Sequence, residues 1–146
     1  MAIKDSGERR EFPTGAVRDI TDNKGRPSLM PLEVVYMLTR DIIMYHLGYF
    51  KEDGDTKHLL RALEYFSRKA YGSCETMLLE VSKHFEEGAA KYGDNNWQKG
   101  IPTDCYLDSA IRHYLKWRRG DKDEPHDRAF VWNLMCCIWE VDCHNE

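Results

Sequence analysis

Three short stretches concentrate the residue types that do phosphate chemistry. In "HFEEGAAKYGDNNWQKG", residues 84–100, a helix end carries His84, Glu86 and Glu87 and runs into a polar turn. Glu80, His84 and Glu87 recur at offsets of four and seven, which places them on one helical face. Carboxylates grouped on a helix hold hard cations such as Mg2+ or Mn2+, with substrate phosphates completing the shell. The same pattern also describes a solvated face on which Lys83 and Lys91 balance the acids. In "GDKDEPHDR", Asp121, Asp123, Glu124 and His126 fall within six residues, a mixture that suits a divalent cation or an exposed acidic loop. His126 and Asp127 form an HD pair, although Asp at a helix start is also favoured by the helix dipole. In "YLDSAIRHY", Asp108 and Arg112 are spaced to pair with one another, and His113 follows directly.

Cations and aromatics surround these groups in the sequence. The turn "NKGR" and the preceding Arg18 offer Arg18 and Arg26 as a phosphate clamp. Asn133 lies seven residues after His126 inside the apolar run "AFVWNLMCCIW", and a buried amide there needs partners. It is either a satisfied core amide or a group that fixes a ligand.

Helices must position these side chains. Pro31 opens a helix predicted over 31–50, with Leu32, Val35, Leu38, Ile42 and Tyr45 as its apolar stripe. Thr56 is a candidate N-cap for a second, with Leu59, Leu60, Leu63, Phe66 and Ala70 inward. Ser73 caps a third that reaches Tyr92, with Met77, Leu78, Val81 and Phe85 inward. Asp104 is the expected cap of a fourth ending at Gly120, and Pro125 opens the last. No run alternates in the strand manner. The chain reads as all-α, a single-domain bundle of about five helices over residues 31–146, preceded by an irregular N-terminal arm over 1–30.

Composition narrows the function classes. The chain has 146 residues and a net charge of -4, so no global basic field recruits nucleic acid. No apolar run spans a bilayer, and the charged start "MAIKDSGERREF" lacks a signal-peptide core, so a cytoplasmic protein without membrane partners is expected. Five cysteines without a CxxC pair argue against a disulfide framework or a four-cysteine zinc site, and Cys136 and Cys137 read as core residues.

The joined pattern "GAVRD…KGRPSLMP", "HFEEGAAKYGDNNWQKGIP", "YLDSAIRHY" and "GDKDEPHDRAFVWNL" resembles the dATP/dGTP diphosphohydrolase N-terminal domain family, common in phage and prophage proteins and associated with MazG-like segments. The resemblance covers about residues 14 to 140, less clearly from 40 to 72. It implies a Mg2+- or Mn2+-dependent hydrolase of (deoxy)purine nucleoside triphosphates that releases monophosphate and pyrophosphate, a nucleotide ligand, a homo-oligomer and a host-cytoplasm setting. The site residues it implies are Glu87, Asp108 and His113 as catalytic groups. His84, Glu87, Asp123 and His126 would hold the metal. Arg18, Arg26, Lys91, Asn96, Trp97, Arg112 and Asn133 would bind substrate, with Trp97 stacked on the base. Two departures stand out: Ala129 occupies the place of a second histidine, and Glu87 lacks the acid at offset three that MazG-type enzymes carry. A nucleotide-binding module without turnover is the alternative, and a helical scaffold is a third.

Overall fold

The computed structural model describes residues 4–20 and 23–144. The first three residues of the charged N-terminus lie outside them. Six helices carry the described chain: α1 Leu32–Thr39, α2 Ile42–Asp53, α3 Lys57–Phe66, α4 Cys74–Tyr92, α5 Thr103–Arg119 and α6 His126–Trp139. The central pair is α5 and α6; α4 packs on α6, α3 on α2, and α1 on α2. The architecture is predominantly α, as the periodicity predicts, in one unit.

The core forms where the stripes meet. Phe66 of α3 lies edge-on to Phe130 at 4.7 Å, Trp117 at 4.9 Å and Tyr114 at 6.0 Å. Edge-to-face pairs of this kind add about 0.5–1.5 kcal/mol each beyond the area they bury. Residues 105–111 of α5 are all buried, which makes that helix the axis of the molecule. Cys136 and Cys137 are core residues, as expected.

The single helix predicted over 31–50 is two. Arg40 adopts the left-handed conformation at φ 51° and closes α1, and Asp41 then caps α2 by accepting from the Ile43 amide at 2.9 Å. Asp41 also accepts from the Tyr114 hydroxyl at 2.5 Å, so a tertiary contact holds the cap in place. The break shifts the helical phase. Leu38 and Ile42 of the predicted stripe face outward, and Ile43, Met44, Leu47 and Phe50 are buried instead. Leu60 and Leu78 also point out.

Two predicted caps differ. Thr56 bonds to Asp142 at 2.8 Å rather than to its own helix, because its backbone is already helical. Asp104 lies within the first turn of α5 and pairs with Arg26 at 3.1 Å.

The arm, expected to be irregular, contains a small antiparallel hairpin. Strand β1, Arg9–Glu11, pairs with β2, Val17–Asp19, placing Arg9 opposite Asp19 and Glu11 opposite Val17. Three-residue strands carry too little alternation to be seen in sequence. The bundle supplies what the hairpin lacks alone. The Asn96 side chain accepts from the Val17 amide at 2.9 Å and donates to its carbonyl at 2.7 Å, acting as a third strand one residue long. Thr14 donates to the Gly100 carbonyl. A Cβ at Gly100, whose φ is 114°, would stand 3.0 Å from Thr14 and from His144, so only glycine admits this approach.

Candidate functional site

The docked hairpin roofs a cavity of about 450 Å3. Its floor comes from α4, α5 and α6, and the link between α5 and α6 closes one end. Arg18 projects from β2, His84 from α4, Ser109, Arg112 and His113 from α5, and Trp132 and Asn133 from α6. Periodicity explains the convergence. Ser109, Arg112 and His113 lie three and four apart on α5, so they share one face.

Arg18 is the centre of the cationic side. Its Nη2 donates to Ser109 Oγ at 3.1 Å and to Asn133 Oδ1 at 3.2 Å. Asn133 is oriented for this by donating its own amide to the Ala129 carbonyl at 2.8 Å. The guanidinium lies 5.4 Å from the Tyr106 ring centre and 5.7 Å from that of Trp132, within cation–π range. Its Nη1 is buried and has no hydrogen-bond partner. Arg112 donates to the same Ser109 hydroxyl at 3.2 Å and to the Gly25 carbonyl at 2.8 Å. Burial, and then the neighbouring Arg18, pull the Arg112 pKa below its usual value. Two like charges sharing one hydroxyl, one of them with an idle donor, make a setting that an anion would relieve.

The histidines form the other side. His126 is 1% exposed. Its Nε2 is 2.7 Å from Asp123 Oδ1, and its Nδ1 is 2.9 Å from His113 Nδ1. Lys4 approaches Asp123 at 2.8 Å. Bonding first to Lys4 and then to His126 holds the Asp123 carboxyl well below its ordinary pKa. Burial first, then His126 and Arg112, push His113 well below the usual histidine range. Burial and Arg128 lower His84 to about 4.

The expected metal ligands separate into two pairs. His84 and Glu87, three apart on α4, each leave one buried ligand atom unpartnered, Nδ1 of His84 and Oε2 of Glu87. That donor pair fits a divalent cation. The other oxygen of Glu87 accepts from Arg128 at 3.2 Å. Asp123 and His126 share one group of close ligand atoms with Asp121, and His126 also belongs to a second with His113 and Glu124, each within 4.8 Å. The ring centres of His113 and His126 lie 5.2 Å apart.

Other expected residues lie elsewhere. Asp108 sits against Arg26 at 2.9 Å and accepts from the Ser28 amide at 2.9 Å, latching the 3-10 turn Pro27–Leu29 onto α5. Both residues line a separate hollow outside the cavity. Lys91 lies 3.8 Å from Asp5. Trp97 packs edge-on to Trp139 at 5.0 Å and to Phe85 at 5.9 Å, off the cavity. Asn96 lines the cavity, but its amide is spent on β2. Asp127 accepts from Tyr71 at 2.8 Å, which takes it away from its HD partner. Glu80 pairs with Lys83 at 3.0 Å on the surface.

Sequence reasoning missed Ser109, Trp132 and Arg128. Ser109 had a signal, three before Arg112 on the same face. Trp132 and Arg128 look like ordinary core and surface residues, and only packing reveals them.

The family described as "dATP/dGTP diphosphohydrolase, N-terminal" matches residues 51–146, two thirds of the chain. The chain belongs to that family. Its name makes it a family of nucleotide hydrolases, and the match takes in His84, His113 and His126. Arg18 and the hairpin precede the matched span. No curated protein and no solved structure shows a significant match to the chain. No helix among the described residues is long and apolar enough to cross a membrane.

Proposed function

We propose that the cavity binds the phosphates of a (deoxy)purine nucleoside triphosphate and hydrolyses it to monophosphate and pyrophosphate. The observation that carries this reading is Arg18. It is held by Ser109 and Asn133, flanked by two aromatic rings, and left with one buried donor beside a second guanidinium. Such a charge-assisted donor pair recognises phosphate, and in an enclosed site it acts on developing negative charge. Trp132 and Tyr92 give the cavity apolar ring surface for a base. Mg2+ or Mn2+ would be held by Glu87 and His84 together with phosphate oxygens, and would supply charge neutralisation at phosphorus.

A binding module without turnover is the second reading. What favours it is that Arg128 already neutralises Glu87.

The test is incubation of the protein with the eight common NTPs and dNTPs, with Mg2+, Mn2+ or EDTA, and resolution of the products. Metal-dependent monophosphate and pyrophosphate are expected, with Arg18→Met raising KM at least tenfold. Thermal stabilisation by a nucleotide without product would establish the second reading instead.

A further inference from the structure

We propose that the outer face of α1, together with the turn that leads into it, is the surface on which a second copy of this chain docks. The inference goes beyond the cavity and does not depend on its chemistry.

The sequence sets up the anomaly. Residues 27–39 read PSLMPLEVVYMLT, with Glu33 the only charged residue, in a chain that is 32% charged. A surface helix ordinarily sets an apolar face against a polar one. In α1 both faces are apolar. Leu32 and Val35 turn inward, where Leu32 is buried and Val35 packs against the core. Val34, Met37 and Leu38, three and four apart, share the opposite face. Leu38 is 81% exposed and Met37 59%. In the preceding turn Leu29 is 67% exposed, and Met30, Val34 and Ile42 are each more than a third exposed. The helix break at Arg40 leaves Leu38 and Ile42 out of the core.

The patch rides on fixed backbone, so covering it costs little ordering. The Ser28 amide donates to Asp108 at 2.9 Å, and Lys51 donates to the Ser28 carbonyl. Leu32 lies so close to α2 that a Cβ at Gly48 would stand 3.3 Å from its own.

Area and chemistry select the occupant. The six outward residues expose on the order of 600 Å2 of mainly apolar surface, the upper end of what a monomer leaves uncovered. A standard interface covers about 800 Å2 on each partner, somewhat more than half of it apolar, so about 500 Å2 of apolar surface is needed. The patch meets that requirement by itself. It carries no lysine or arginine, and its one charge is the carboxylate of Glu33, which disfavours an anionic membrane surface. Nor does it offer charges that would match an acidic or basic partner. An uncharged apolar face is complementary to itself. Two copies related by a two-fold axis cover both patches at once and leave none to extend the assembly.

The experiment is sedimentation velocity of the nucleotide-free full chain across about 1–200 μM, with three variants. The parent is expected to show a reversible monomer–dimer equilibrium whose mass saturates at twice that of the chain. Leu38→Glu puts a charge where the folded monomer already meets water, and should weaken the dimer by at least about 100-fold. Met37→Lys, with the opposite charge on the same face, should do likewise. Leu79→Glu makes the same change at a 71% exposed site on α4, outside the patch, and should leave the dissociation constant within about threefold of the parent's. Thermal melts of the dilute variants that match the dilute parent separate lost docking from lost folding. Hydrogen exchange of the parent gives a second readout: amides of residues 32–39 should slow as the concentration rises through the transition. Leu38→Glu that dimerises like the parent overturns the proposal, as does Leu79→Glu that dissociates the pair as readily as Leu38→Glu, or a mass that grows past the dimer. A parent that stays monomeric throughout also overturns it, and flotation of that monomer with phosphatidylglycerol vesicles would give the face to a membrane instead.

Discussion

Two Asp–His–His chains occur in this molecule, one under the hairpin and one on its outer surface. In the inner chain, Asp123 meets His126 at 2.7 Å and His126 meets His113 at 2.9 Å. In the outer chain, Asp53 lies 3.3 Å from His58 Nε2, and His58 Nδ1 lies 3.2 Å from His46 Nδ1. The residue types, their order and even the ring nitrogens are the same. The surroundings differ. His126 is closed off by packing, whereas the His58 side chain is 24% exposed, with Tyr49 stacked on it at 5.4 Å and Tyr65 stacked on His46 at 6.0 Å. The outer chain clips α2 to α3 and borders no cavity among those described. The inner one joins α5 to the start of α6 and opens on a cationic cavity. Low dielectric strengthens a satisfied network, and solvent dilutes an exposed one. The pair therefore teaches that one residue list can be placed in two different environments, which enclosure and access decide.

The largest effect expected from that contrast is on stability. His126→Ala removes a buried ring and leaves His113 Nδ1 without its partner, which together cost about 2–4 kcal/mol. His58→Ala removes the same bonds where water replaces them, and the loss should stay below about 1 kcal/mol. Urea denaturation of both variants checks this. Equal losses would mean that enclosure does not separate the two chains.

How much of this contrast was legible in sequence follows from the range of each interaction. α3 to α6 were readable because their punctuation and periodicity are local: Ser73 accepts from Thr76, and Gly93 and Gly120 stop their helices. The break at Arg40 was not, because Asp41 is held by Tyr114 from α5, 73 residues away. The same holds for the site. His84, Arg112, His113, Asp123, His126 and Asn133 were picked out by type and spacing, and all line or border the cavity. Asp108 has the same type and equally suggestive spacing, yet Arg26 and Ser28 claim it from a loop that no pattern places. Glu87 is divided in the same way between Arg128 and an open oxygen. Which polar groups are idle depends on contacts distant in sequence. The outer chain was invisible for that reason too: twelve residues separate His46 from His58, and a turn intervenes.

A smaller effect appears on acidification. His84 has its pKa lowered to about 4, first by burial and then by Arg128. The unfolded chain, with an ordinary histidine near 6.5, binds the proton first. Stability is therefore fully present above about pH 6.5 and falls as pH drops toward 4. The shift corresponds to about 3 kcal/mol. In EDTA, His84→Gln should flatten the stability curve between pH 7 and 4 by roughly that amount. His46, also lowered by burial, by His58 and by Arg61, is open enough to water that His46→Gln should leave the curve nearly parallel to the parent's. A parallel His84→Gln curve would place that ring in water, contrary to its packing 5.9 Å from Trp132.

The smallest effect is expected at the carboxylate of the outer chain. Asp53 sits on the last turn of α2, and its side chain is 47% exposed. Its 3.3 Å approach to His58 is a surface contact, worth about 0.5 kcal/mol or less. Its other oxygen accepts from the Asp55 amide at 2.9 Å, a local bond that an asparagine carbonyl can still accept. Asp53→Asn should therefore change stability by no more than about 0.5 kcal/mol and leave His46 and His58 exchanging rapidly between tautomers in 15N spectra. Asp123→Asn, the same atom change on the inner chain, should leave each ring in a single tautomer, because His126 is buried. If Asp53→Asn locks the outer rings as firmly, tautomer order is set by the carboxylate alone, and enclosure has no part in it.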